Sequence, residues 1–134
     1  MPESPFDPEY QSVARFLPRG IGRSWNLPLI RMLSSLTGRG PDPDNVEIEN
    51  SGVGQVRVHR PATSGDETLP AVLWLHGGGY LLGSPKQDDE LCRQIADELG
   101  AIVVAPVYRL SPKHAFPAAL DDAYAALTWL AKRD

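Results

Sequence analysis

The run Trp74-Leu75-His76-Gly77-Gly78-Gly79-Tyr80 carries the clearest chemistry in this 134-residue chain. An apolar stretch breaks there into three consecutive glycines, and a backbone free of side chains can turn several N–H groups toward one point. Such a point stabilises a negatively charged oxygen. Of equal weight is an absence: no G-x-S-x-G pentapeptide occurs in the sequence. The loop that would stabilise an oxyanion comes without the serine that would generate one.

Three chemistries place glycines between a strand and a helix, and spacing separates them. A dinucleotide fingerprint needs G-x-G-x-x-G, but counting from Gly77 the sixth position is Leu82, with Gly83 one residue late. A phosphate loop needs G-x-x-x-x-G-K followed by Ser or Thr. Gly78 and Gly83 stand at that distance, but Ser84 takes the place of the lysine that would meet the phosphates. The third chemistry is the oxyanion hole of acyl transfer, built where a strand ends in His-Gly-Gly-Gly, and His76 to Gly79 match it over its whole length.

Other polar residues read as structural. Ser111 and His114 lie three apart in a proline-containing loop, whereas a serine nucleophile needs a strained, exposed elbow and a separately oriented base. Asp121 and Asp122, near the start of the last helix, favour its N-terminal dipole and are expected to pair with Arg109. His59, His76, His114 and Cys92 show no metal-ligand spacing, and S-x-x-K is absent, so neither a metal nor another cofactor is expected.

The His76–Tyr80 run, taken with Tyr108-Arg109-Leu110-Ser111-Pro112-Lys113-His114-Ala115-Phe116-Pro117-Ala118-Ala119-Leu120-Asp121-Asp122, resembles the hormone-sensitive-lipase branch of the α/β-hydrolases. That branch comprises carboxylesterases and lipases. The resemblance covers about Val46 to Asp134 and, more loosely, the N-terminal helices, which in that branch form part of a cap over the substrate pocket. It implies that the backbone N–H groups of Gly78 and Gly79 hold the substrate oxyanion, while His76, through its ring, and Gly77 support the loop. Tyr80 and Leu81 are implied to face the acyl pocket. A third oxyanion donor follows the nucleophile in the family, and one missing donor costs roughly 3 to 4 kcal/mol of transition-state stabilisation.

Family members continue past the last helix into a strand, the nucleophile elbow, and then the acid and the histidine base, none of which precedes Asp134 here. The resemblance therefore implies the N-terminal part of a serine carboxylesterase, inactive alone and acting on a small-molecule ester when complete. The alternative is a non-catalytic small-molecule-binding module, or a fragment completed by a second polypeptide, and fold does not separate the two. In the family the nucleophile strand pairs with the strand that ends at His76. Ala71–Leu75 is thus expected to be an apolar edge prone to self-association.

The elements that must hold this loop can be read from periodicity. Residues 1–40 are rich in Pro, Arg and Ser and predict a helical cap or lid segment, with short amphipathic helices at Glu9–Leu17 and Trp25–Leu36. In the second, Trp25, Leu29, Met32, Leu33 and Leu36 form an apolar stripe that either packs on the main body or faces substrate. Residues 41–134 form the hydrolase portion. After a loop at 37–44 the period becomes two: Val46, Ile48, Val56 and Val58 alternate with Glu47, Glu49, Arg57 and His59 about an Asn50-Ser51-Gly52 turn, a hairpin of half-buried strands. Ala71–Leu75 is unbroken apolar and reads as a strand buried on both faces, as does 101–107. Between them Ser84 is expected to cap a helix with Pro85 at its first position and Gln87 reaching back. Leu91, Ile95 and Leu99 are expected to point inward before Gly100 ends that helix. A last helix from Pro117 is expected to point Leu120, Ala123, Leu127 and Leu130 inward. The predicted fold is α/β: an antiparallel hairpin leading into parallel strands with helices on both faces, the N-terminal half of an α/β-hydrolase sheet.

Composition sets outer bounds. A hydrophobic fraction of 42% with 22% charged residues suits one buried core. A net charge of −4 argues against nucleic acid or an anionic membrane as partner. The single cysteine, the lack of a secretion signal at the N-terminus and the lack of a roughly 20-residue apolar stretch predict a cytoplasmic protein without a membrane span.

Overall fold

A computed structural model describes residues 28–30, 32, 42, 46–52, 54–62, 65 and 68–133. Strands β1 (Val46–Asn50) and β2 (Gln55–His59) form the expected hairpin, in a register running from Val46 opposite His59 to Asn50 opposite Gln55. Its turn is closed by Ser51, whose backbone N–H and hydroxyl both donate to the Gly54 carbonyl at 2.9 and 2.8 Å. β3 (Ala71–Leu73) runs parallel to β4 (Ile102–Pro106), and β4 runs antiparallel to β2, giving the order β1-β2-β4-β3. Helices α1 (Asp89–Leu99) and α2 (Ala118–Leu130) cover opposite faces. On one face Cys92 and Ala96 of α1 pack on Val103 and Ala105, flanked by Val72, Trp74 and Ile95. On the other, Ala126 of α2 packs on Val56, Val58 and Val104, flanked by Trp129 and Leu130. β4 is apolar on both faces because both are covered.

The entry to α1 depends on local chemistry. Ser84 accepts from the Lys86 N–H at 3.3 Å through its hydroxyl, and Pro85 opens a 3-10 turn, Pro85–Asp88, that runs directly into the helix. The cap is therefore made to Lys86, one residue earlier than an α-helical capping box places it. Gly100 ends α1, its N–H donating to the Ala96 carbonyl.

Four expectations are corrected by burial. β2 is not half-buried: Arg57 and His59, expected in solvent, are only 6% and 1% exposed. They are shut in because β2 lies between β1 and β4 with α1 above its polar face. β3 is three residues long rather than five and only half covered, since β4 is its one neighbour in the sheet among the described residues. Leu75 beyond it is exposed. Inside α1 the buried residues are Asp89, Cys92 and Ala96, while Leu91 and Leu99 are exposed. Inside α2 it is Ala126 that is buried, while Leu120 and Leu127 are exposed. In both helices small side chains make the contact, which lets the helix approach the sheet closely.

The burial of Arg57 is compensated by an ionic network. Its Nε and Nη2 donate to the two carboxylate oxygens of Asp89 at 2.7 and 2.6 Å, and Nη2 also lies 2.9 Å from Asp42. Asp42 is 3.0 Å from Lys86 Nζ as well, so the network reaches the surface. The expected helix Glu9–Leu17 lies outside the described residues. Of the Trp25–Leu36 segment, residues 28–30 and 32 are helical, with Leu29 and Met32 more than half exposed. No helix among the described residues is long and apolar enough to cross a membrane.

Candidate active site

β3 delivers the chain to the glycine loop. Trp74 N–H still donates to the Val104 carbonyl at 2.8 Å, and past it the backbone leaves the sheet. Gly78 adopts φ 125°, and a Cβ placed on it would stand 2.1 Å from the Leu82 carbonyl oxygen. The crowding arises because the turn is wound tightly there: Leu81 and Leu82 N–H both donate to the Gly78 carbonyl at 3.1 Å. Gly83 closes the loop against its own beginning, since a Cβ there would meet the Gly77 carbonyl oxygen at 2.6 Å and His76 Nδ1 at 2.8 Å. Tyr80 is a non-glycine residue at φ 60°, a conformation that costs roughly 1–2 kcal/mol. Its carbonyl is held by the Ser111 N–H at 2.8 Å. The N–H groups of Gly78 and Gly79 meet no acceptor among the described residues, and both residues are exposed.

His76 is buried beneath this loop. Its ring stacks on Tyr108, with centroids 4.2 Å apart and planes 7° from parallel. Nδ1 lies 2.8 Å from the Gly77 carbonyl, which can only accept, so the ring proton is assigned to Nδ1. Tyr108 O–H donates to the His76 carbonyl. Burial, with Tyr80 and Asp88 nearby, pushes the Tyr108 phenol above its ordinary pKa and keeps it a neutral donor. Tyr108 and Gly83 are site residues that the spacing of chemical groups does not single out. The family resemblance takes in Tyr108 without giving it a role, and their contacts with the His76 ring show what the two residues do.

A cavity of about 400 Å³ opens beside the loop. Gly79, Tyr80 and Leu81 form one wall, Ser111, His114, Phe116 and Pro117 the second, and Ala119 and Leu120 of α2 the third. Ser111 donates from its hydroxyl to the His114 carbonyl at 3.2 Å, so both residues belong to the wall's own bonding. Arg109 grips Asp122 with Nε on Oδ2 and Nη2 on Oδ1, both at 2.8 Å, and thereby ties this wall to α2. The guanidinium holds the Asp122 carboxyl below its usual pKa. A smaller cavity of about 140 Å³ lies among Val58, Ala71, Ile102 and Leu130, away from the glycine loop. Among the described residues no group of three or more His, Cys, Asp or Glu side chains could hold a metal ion. The arrangement presents N–H donors of Gly78 and Gly79, unpaired among the described residues, in the loop that walls an apolar cavity. Such a loop can receive an oxygen on which charge develops while its carbon skeleton lies in the cavity.

The chain is similar in sequence and fold to known proteins. A family model described as an alpha/beta hydrolase fold matches residues 72–134. Esterase LipI of Mycobacterium tuberculosis is 46% identical over 77 residues, which take in 57% of this chain and 24% of that protein. The ethyl acetate hydrolase of Pseudomonas putida is 37% identical over 105 residues, covering 73% of this chain and 33% of the relative. An esterase of Pyrobaculum calidifontis superposes with a TM-score of 0.71 at 33% identity, covering 96% of this chain and 44% of that one. The chain spans about a quarter to a third of the length of these curated relatives.

Proposed function

Because the chain belongs to the α/β-hydrolase fold family, among its carboxylesterases, we propose that these residues supply the oxyanion-hole side of a carboxylic-ester hydrolase. The observation that carries this reading is the pair of Gly78 and Gly79 N–H groups, without acceptors among the described residues, in the loop whose Gly79 lines the cavity. In it, those two groups bind the ester oxygen as negative charge develops, and His76, stacked on Tyr108 and bonded to Gly77, keeps them aimed. Tyr80 and Leu81 contact the acyl group. No G-x-S-x-G pentapeptide occurs in the sequence, so in this reading the nucleophile, acid and base lie outside these 134 residues, which are expected to release no p-nitrophenol from p-nitrophenyl acetate by themselves.

The test is a graft. Residues 46–134 replace the matching segment of the Pseudomonas putida ethyl acetate hydrolase, whose remaining residues are left unchanged. A folded chimera that hydrolyses p-nitrophenyl acetate supports the reading. A folded chimera without turnover overturns it, as does an acyl-enzyme burst from the 134-residue chain alone.

The open side of β3 supports a second proposal, pairing between two copies. Among the described residues β3 has β4 as its one neighbour, and residues 71–75 carry no charge to discourage addition of a strand. Sedimentation velocity is expected to show a concentration-dependent dimer or larger species that Ala71→Lys converts to monomer. A wild-type chain that stays monomeric across the concentration range refutes edge pairing.

A further inference from the structure

We infer that Asp88 is a positioning residue for the glycine loop, its carboxylate forming with the Trp74 indole a clasp that closes residues 75–87 at their base. Trp74 Nε1–H donates to Asp88 Oδ2 at 2.9 Å, a bond between residues 14 apart in sequence. Both ends of the clasp are anchored elsewhere. Trp74 is held to β4 through its backbone N–H, and its ring packs in the cluster of Cys92, Val103 and Ala105. Asp88 is followed by Asp89, which is fixed to the buried Arg57.

The local chemistry of Asp88 favours this role over a helix-capping one. It occupies the N-cap of α1, where an aspartate normally accepts from an N–H of the first turn, yet its side chain makes no capping bond. That stabilisation is forgone and the carboxylate points back to Trp74. A half-buried indole N–H needs such an acceptor, and here the acceptor is charged, which makes the bond a strong one. Asp88 also acts on the Tyr108 phenol, whose pKa it helps to raise, and Tyr108 carries the His76 ring. One carboxylate thus bears on the loop from both its base and its underside.

The inference rests on the oxyanion-hole reading only for the purpose of the loop, and the experiment separates the two. Amide hydrogen exchange in the 134-residue chain reads the loop through the Leu81, Leu82 and Ser111 N–H groups, which bond to Gly78 and Tyr80 carbonyls. Asp88→Ala is expected to speed exchange at these three about 10- to 100-fold, the range for losing a hydrogen bond to a charged group, with β4 and α2 amides unchanged. Trp74→Phe should reproduce the effect, the double variant should add nothing to it, and Asp88→Asn, which keeps an acceptor oxygen, should restore most of the protection. Unchanged exchange at the three amides, or an equal rise throughout the sheet, overturns the clasp. In the chimera, Asp88→Ala should lower kcat for p-nitrophenyl acetate more than it raises KM. Faster loop exchange with unchanged kcat would leave the clasp standing and count against the oxyanion role.

Discussion

Gly78→Ala in the chimera is expected to lower kcat/KM for p-nitrophenyl acetate about 10²- to 10³-fold, the range seen when an oxyanion-hole donor is lost. The new methyl would overlap the Leu82 carbonyl, with its oxygen 2.1 Å and its carbon 2.7 Å away. Both are backbone atoms and cannot swing aside as a side chain could. Relief requires undoing the turn in which Leu81 and Leu82 N–H converge on the Gly78 carbonyl, and the φ of 125° is closed to alanine in any case. Undoing that turn moves the N–H groups of Gly78 and Gly79 by ångströms, and a misplacement of about 1 Å can cost a hundredfold. The neighbouring glycines supply the control. A Cβ on Gly77 meets nothing within 4 Å, so Gly77→Ala is expected to keep activity within a few-fold of the parent. Near-ultraviolet circular dichroism establishes that both variants are folded. Equal activities for the two would refute this account of the loop.

Much of this architecture is legible in the sequence wherever a signal is local. The break from apolar strand to glycines at His76 is one such signal. Others are the doubly apolar run of β4, the stop at Gly100, and the reach of Asp122 to Arg109. What escapes is decided by partners distant in the chain. The alternation of Arg57 and His59 with Val56 and Val58 reads as one wet face and one dry face. It becomes two dry faces because Asp89, 32 residues on from Arg57, arrives over the polar one. Helix stripes fail for a related reason. Leu91 stands one residue, about 100° around the helix, from Cys92 in the Cys92–Ala96 row that packs on the sheet, and Leu99 is exposed as the last residue of the helix. Size draws the sequence reader to the leucines, whereas close approach to β4 selects the cysteine and the alanine. Gly83 shows the same limit from the other side. Its position excludes a nucleotide fingerprint, but its use, making room for the His76 ring, exists only once the loop has folded back on itself.

Asp89→Ala is expected to be among the most destabilising single substitutions, costing about 3–5 kcal/mol, because it removes the principal partner of a buried cation. The Arg57 side chain is 7% exposed and would keep only Asp42, which is itself 42% exposed. Replacing both members, as Arg57→Met with Asp89→Leu, is expected to recover most of the loss, since an apolar pair of similar volume avoids the cost of dehydrating two charges. Urea denaturation measures both, and a double variant no more stable than Asp89→Ala would refute that account. The same cluster gives the fold an acid limb through His59. Its ring nitrogens have no hydrogen-bond partner among the described residues, and Nε2 lies 3.4 Å from Asp89 Oδ1. Burial first, and Arg57 with it, hold the His59 pKa below its ordinary 6.5, while Asp89 works the other way. The unfolded chain therefore binds a proton at a higher pH than the folded chain does. The stability that His59 contributes is complete above about pH 6.5 and is lost as pH falls toward its folded-state value. Unfolding free energy should thus decline as pH falls below about 7, and His59→Phe should flatten that decline. In Asp89→Ala the opposing carboxylate is gone, so the pKa of His59 falls further and the decline should continue to lower pH. A wild-type profile as flat as that of His59→Phe would show that folding leaves the proton affinity of the imidazole unchanged and refute this account.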